Sequence, residues 1–166
     1  MATIARAGRP PQAVSLLFAP HGAGVRLMSA GPLLFTIIQG KPMSAYDFSV
    51  SVKTQYLSEQ SNPARNQYVF SYTITIRNTG SVAAQLISRH WVIVDANNQI
   101  QEVRGLGVVG HQPLLQPGEQ FEYSSGTQLG TAQGSMHGEY FCVAEDGHRF
   151  EAPIPEFVLS PPQALH

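Results

Sequence analysis

The chain has 166 residues, enough for one domain with a proper core and too few for two comfortable ones. Apolar residues make up 43% and charged residues 13%, which excludes a wholly disordered chain, and no stretch approaches the roughly 18 unbroken apolar residues of a bilayer-spanning helix. The net charge of −1 hides an asymmetry: residues 1–42 carry Arg6, Arg9, Arg26 and Lys41 without an acid, whereas the rest holds six basic and eleven acidic side chains. That acidic body is poorly suited to tracking phosphate backbones, so no nucleic-acid partner is expected.

Residues 1–42 differ in character from the rest of the chain. Five prolines (Pro10, Pro11, Pro20, Pro32, Pro42) and five glycines leave no room for a regular element. A secretory signal needs a sustained apolar core, but residues 13–19 are interrupted by Ser15 and end at Pro20. A transit peptide fits the acid-free composition, yet serine is scarce and no amphipathic helix emerges. Met43 stands just before the first convincing strand. The segment therefore reads as a poorly structured extension and Met43 as the natural start, with residues 43–166 forming the domain.

From Tyr46 onward the signal is alternation. Phe48, Val50, Val52 and Tyr56 point one way while Ser49, Ser51, Lys53 and Gln55 point the other. Tyr68, Phe70, Tyr72, Ile74 and Ile76 repeat the pattern more strongly, and Asn78-Thr79-Gly80-Ser81 closes it as a turn. Residues 82–94 are too long for one regular strand and change phase near Leu86-Ile87, predicting a bulge or a switch between sheets. Asp95-Ala96-Asn97-Asn98 makes a turn, and residues 99–103 a short return strand.

Leu115-Gln116-Pro117-Gly118-Glu119 predicts another turn, leading to Phe121 and Tyr123 of a further strand. Met136, Tyr140 and Cys142 alternate with His137, Glu139, Phe141 and Val143, and Asp146-Gly147 joins them to residues 149–152 as a hairpin. Seven to eight short strands without a helical pattern predict an all-β, antiparallel β-sandwich of immunoglobulin or fibronectin type III-like form, with Trp91 as a core anchor. The single Cys142 cannot form an internal disulfide, and its apolar run predicts a buried thiol.

Arg104-Gly105-Leu106-Gly107-Val108-Val109-Gly110-His111-Gln112-Pro113 contains G-x-G-x-x-G, the string of dinucleotide-binding folds. That chemistry requires a helix opening within the motif, so that its N-terminal N–H groups face a pyrophosphate. Pro113 and Pro117-Gly118 leave no room for such a helix, and no βαβ unit surrounds it. Two readings stay open. Consecutive N–H groups of a glycine turn can cradle an anion, with Arg104, Gly105, Gly107, Gly110 and His111 as its parts and Arg89 within reach if its strand is adjacent. Otherwise the glycines only permit positive φ where the chain crosses between sheets.

Other sites are weaker. His137 and Glu139 share a strand face, as half of a metal site would, and His90, His111 and His148 could complete one only through folding. No loop presents three carboxylates at regular spacing, so no metal or cofactor is expected. Ser124-Ser125-Gly126 is not a nucleophile elbow, and no acid–base pair is evident, so no catalytic residue is expected.

Several strings together resemble the ApaG family: Arg89-His90-Trp91-Val92-Ile93-Val94-Asp95, the run from Glu102-Val103-Arg104-Gly105 to Gln116-Pro117-Gly118, Tyr123-Ser124-Ser125-Gly126, Gly134-Ser135-Met136-His137-Gly138-Glu139-Tyr140, Pro155-Glu156-Phe157-Val158-Leu159 and the terminal Leu165-His166. The resemblance runs from about residue 46 to 166. It implies a fibronectin type III-like sandwich in a bacterial cytoplasmic protein whose gene often neighbours a diadenosine tetraphosphate hydrolase. It also implies a genetic link to cobalt tolerance and magnesium efflux, and a likeness to interaction modules of larger eukaryotic proteins; it supplies no catalytic residue.

The leading expectation is thus a non-enzymatic binding module in divalent-cation homeostasis, with a transporter or regulator as its protein partner. The alternative is a small-ligand sensor, binding pyrophosphate, a nucleotide polyphosphate or a divalent metal at the glycine loop. A dinucleoside polyphosphate hydrolase is a third, weaker idea.

Overall fold

The computed structural model describes residues 44–163; the expectations for residues 1–42 and for Met43 as the start lie outside the described residues. The alternating pattern becomes eight strands: β1 (Phe48–Tyr56), β2 (Tyr68–Asn78), β3 (Ala84–Asp95), β4 (Ile100–Leu106), β5 (Leu114–Leu115), β6 (Gln120–Leu129), β7 (Gly134–Ala144) and β8 (Arg149–Leu159). They form two antiparallel sheets. One has the order β1-β2-β6 and the other β4-β3-β7-β8, with β5 beside β3. This is the all-β sandwich of immunoglobulin or fibronectin type III-like form that the pattern predicts. Among the described residues no helix is long and apolar enough to cross a membrane.

The alternation decides which face is buried, most plainly in β2. In β2, Phe70, Tyr72, Ile74 and Ile76 are buried while Ser71, Thr73 and Thr75 are not. Across the gap, Leu86, Trp91, Met136, Tyr140 and Leu159 complete the core. Side chains buried this fully contribute about 1.5–3 kcal/mol each, so these two inner faces hold the sheets together. Trp91 is the anchor expected of it, meeting Tyr140 edge-on with ring centroids 6.4 Å apart and planes at 82°. Pro153 and Pro155 are tolerated in β8 because it is an edge strand whose outer N–H groups need no ladder partner.

The predicted bulge is real, and β3 remains in one sheet throughout. Its register against β7 shifts between Leu86 and Ser88, which leaves Ile87 as the extra residue. A second shift, between Met136 and Gly138 against β8, gave no sequence signal. Two further differences arise from long-range pairing. Leu114 and Leu115, expected to lead into a turn, pair with Gln85 and Ala84 as β5. Two short 3₁₀ turns, Ser58–Gln60 and Pro63–Arg65, fill the β1–β2 connection.

Asn78, expected at the head of a turn, instead ends β2 with 1% of its surface exposed. Burial is tolerated because each polar atom is paired. Its Nδ2 donates to the carbonyls of Val82 and Leu115, both at 2.9 Å, and its Oδ1 accepts from Gly80 N–H at 2.9 Å. Its own N–H donates to the Glu119 carbonyl, and its carbonyl accepts from Gly118 N–H. One side chain thereby ties the β2–β3 turn to β5.

Candidate functional site

The glycine segment is a hairpin between β4 and β5, both of which pair with β3, so the chain does not cross between sheets here as one reading expected. β4 continues through Arg104 and Gly105 to Leu106, past the end expected at residue 103, because both residues keep their register against β3. The chain then turns sharply: Gly107 has φ +58°, Val109 +42° and Gly110 +80°. Val108 and His111 exchange backbone hydrogen bonds of 2.8 Å in both directions, enclosing Val109 and Gly110 as a two-residue turn of the primed type. Val108 itself is buried in the core, so the turn is pinned from below. At Gly107 a Cβ would strike the His111 carbonyl, so only glycine fits there.

The bulge in β3 anchors this hairpin. The Ile87 carbonyl, turned out of the ladder, accepts from Gly107 N–H at 2.8 Å and from Gln112 Nε2 at 2.9 Å. Consequently the N–H groups of Gly107, Val108 and His111 are all committed to protein carbonyls.

The six residues singled out from sequence do not form one cluster. Gly105 stands opposite Arg89 and Arg104 opposite His90, so Arg104 and Arg89 lie on opposite faces of the same sheet. Arg89 turns inward beneath the hairpin, where its Nη1 donates to the carbonyls of Leu106 (3.1 Å) and Gly107 (2.7 Å). Gly110 and His111 sit at the tip, the His111 ring 5.8 Å from that of Phe121. Arg89, Gly105 and Gly107 are therefore brought together; Arg104 is not.

Below the hairpin a cleft of about 260 Å³ opens between the sheets at the β4 and β6 edges, lined by Tyr72, Arg89, Trp91, Gln101, Ser125 and Thr127 among others. Burial raises the phenol pKa of Tyr72, and more strongly those of Tyr123 and Tyr140, whose hydroxyls are 2.6 Å apart; the Arg89 charge opposes each rise. These phenols stay neutral and act as hydrogen-bonding groups. No sequence signal reveals the cleft, because its walls come from strands far apart in the chain.

The outer face of the larger sheet carries a second polar group. His90 Nδ1 lies 2.7 Å from Glu139 Oε1 and its Nε2 lies 2.9 Å from Glu102 Oε2. Carboxylates only accept, so the two contacts are both satisfied when both ring nitrogens donate, which favours the imidazolium form. Its pKa is raised, first by the bond to Glu139 and then by that to Glu102. Arg104 closes the chain at 3.3 Å from Glu102. This arrangement spends both His90 nitrogens on carboxylates. His148, in the β7–β8 turn, stacks on Tyr46 with centroids 3.9 Å apart, whereas His137, whose Nδ1 is buried without a partner, lies near the start of β7. Among the described residues no three His, Cys, Asp or Glu side chains are arranged to hold a metal ion.

Around this polar group the outer face is unusually apolar. Leu106 is 76% exposed and Leu114 50%, and Phe141 and Val143 lie beside them in register with Ser88 and Gln85. Cys142, one residue on, points the other way into the core, where burial pushes its thiol up to about 12.

Residues 58–144 match the family model described as the ApaG domain. The chain is 67% identical over 124 residues to "Protein ApaG" of Ralstonia nicotianae, covering 75% of this chain and all of that one. It is 63% identical over 121 residues to "Protein ApaG" of Thiobacillus denitrificans, covering 73% of this chain and 95% of the relative. A crystal structure named for the ApaA protein of Bordetella pertussis superposes with a TM-score of 0.72 at 58% identity, covering 74% of this chain and all of that one.

Proposed function

This chain belongs to the ApaG domain family, and from that premise we propose that it is a non-enzymatic binding module whose partner docks on the outer face of the larger sheet. The observation that carries this reading is the exposure of Leu106 and Leu114 beside Phe141 and Val143, where a solvated sheet face ordinarily alternates to polar residues. Beside that patch, the Glu139, His90, Glu102 and Arg104 side chains form a charged rim that gives a partner its register.

The process served is divalent-cation homeostasis, cobalt tolerance and magnesium efflux, and the partner a transporter or regulator in the cytoplasm. A bacterial strain lacking its own family gene tests both parts. The wild-type chain is expected to restore growth on cobalt, and a folded Leu106→Asp/Leu114→Asp variant is expected to fail. Full complementation by that variant defeats the docking face, and no effect of the wild type defeats the cation role.

A sensor at the glycine loop receives less support. A backbone anion nest needs uncommitted N–H groups, and those of Gly107, Val108 and His111 are already bonded. Its check is an amide NMR titration with pyrophosphate, ATP and Co²⁺, in which saturable shifts at residues 104–111 would favour the sensor.

A further inference from the structure

We propose that the free edge of β6 accepts an extended segment of a partner protein as an added strand, seating an acidic side chain of that segment against Arg89. This site is separate from the outer face of the larger sheet and differs from it in chemistry.

β6 is the last strand of its sheet, and among the described residues nothing pairs with its far side. Every second residue of an antiparallel edge strand turns its N–H and C=O outward, where a peptide can satisfy them. Natural edges are usually blunted by charge, proline or a bulge. Here Ser124-Ser125-Gly126-Thr127-Gln128 carries no charge and no proline, and its pairing with β2 has no register shift.

Two cavities border this five-residue edge. The cleft containing Arg89 meets Ser125 and Thr127 on the inner side. A second cavity of about 440 Å³ is lined by Leu57, Val69, Val109, Ser124 and Gln128, and Ser125, Gly126 and Thr127 border both. An added strand sends successive side chains to opposite faces, so its side chains can reach both cavities.

Arg89 sets the chemistry of the inner one. Its Nη1 is fixed by the Leu106 and Gly107 carbonyls, and among the described residues no carboxylate reaches it within ion-pair distance. A guanidinium held between two sheets with donors left over is a receptor for a carboxylate. Tyr72, Ser125 and Thr127, each of which carries a hydroxyl, line the same space. Trp91 lies in that wall and is the chain's one tryptophan, so its fluorescence reports occupancy.

Random peptides displayed on phage are selected against the immobilised full chain, and enriched sequences are synthesised. They are expected to share one Asp or Glu, to change Trp91 emission and to slow amide exchange within residues 124–128. Converting the shared acid to its amide, or Arg89→Gln in the protein, is expected to weaken binding about tenfold or more. N-methylation of alternate peptide amides is expected to abolish it. Arg89→Gln also releases two loop carbonyls, so the two altered peptides decide the question with the protein unchanged.

The proposal is overturned if no peptide is enriched, if the acid is absent or dispensable, or if N-methylated peptides bind equally. Acetate or inorganic phosphate alone reproducing the Trp91 change would make this a small-anion site and overturn it. So would amides at 124–128 already protected in the free full chain. Peptides that map to Leu106 and Leu114 leave the docking face standing and defeat this site.

Discussion

Arg89 crosses Gly105, its partner in the β3–β4 register, with Nη1 and Nη2 at 3.1 and 3.2 Å from where a Cβ on that glycine would sit. The absent side chain lets the guanidinium reach the Leu106 and Gly107 carbonyls. A Gly105→Ala variant meets only the end of a flexible side chain, so its cost is about 1 kcal/mol or less, while Gly105→Val displaces Arg89. Amide shifts of Gly107 and Gly110 check this: small in the alanine variant and large in the valine variant.

Gly107 and Val109 should respond in opposite senses. Gly107→Ala combines positive φ with a backbone clash, and roughly 2 kcal/mol or more of stability should be lost. Val109 is a β-branched residue held at φ +42° in a turn that favours Asn-Gly. Val109→Asn should therefore gain about 0.5–1 kcal/mol. Urea unfolding of both variants measures the pair, and equal effects would contradict the assigned turn.

Asn78→Ala removes the side-chain donor from the carbonyls of Val82 and Leu115, while Gly80 N–H keeps the Asp47 carbonyl as a second acceptor. A loss of about 2 kcal/mol is expected, from two carbonyls that lose a donor at about 1 kcal/mol each. Asn78→Asp should fare no better, since a carboxylate cannot donate to either carbonyl. Denaturant midpoints of the two variants check this.

The raised pKa of His90 sets a pH dependence of definite sign. A group whose folded pKa exceeds its unfolded value stabilises fully below that unfolded value, near 6.5, and the contribution is lost as pH rises through the folded pKa. The pKa of Glu102 is lowered, first by His90, so its own contribution is present above the ordinary carboxylate range and fades in acid. Stability relative to His90→Gln should thus decline above about pH 6.5, toward the His90 folded pKa. In a proton NMR titration Glu139→Gln should lower the His90 pKa more than Glu102→Gln, because the Glu139 bond is the larger cause.

Cys142 should be inert while the chain is folded. A thiol pushed up to about 12 carries roughly a thousandfold less thiolate at pH 8 than one at its ordinary value, and burial also blocks access. Labelling by iodoacetamide should require prior unfolding; rapid labelling of the native chain would show that the β7 core opens.

Much of this protein is local physics. Period-two alternation located most strands, because the side-chain repeat of a strand is fixed by backbone geometry and needs no knowledge of its neighbours. The break of phase at Leu86-Ile87 betrayed the bulge, and Asp146-Gly147 the final hairpin, whose Gly147 has φ +86°. Proline spacing alone excluded a helix at the glycine segment. The spacing of its motifs was enough to place the chain in its family.

Tertiary structure decided the rest, because register and sheet order are relations between residues far apart in the chain. Nothing near Asn78 says that its amide will meet the Leu115 carbonyl, or near His90 that Glu139 and Glu102 will both reach its ring. Arg104 and Arg89 looked like parts of one glycine-loop site if their strands were adjacent; the strands are adjacent, and pairing put the two side chains on opposite faces. The cleft at Arg89 and the open edge of β6 exist only once two sheets pack, since a cavity belongs to the space between strands and to no strand alone.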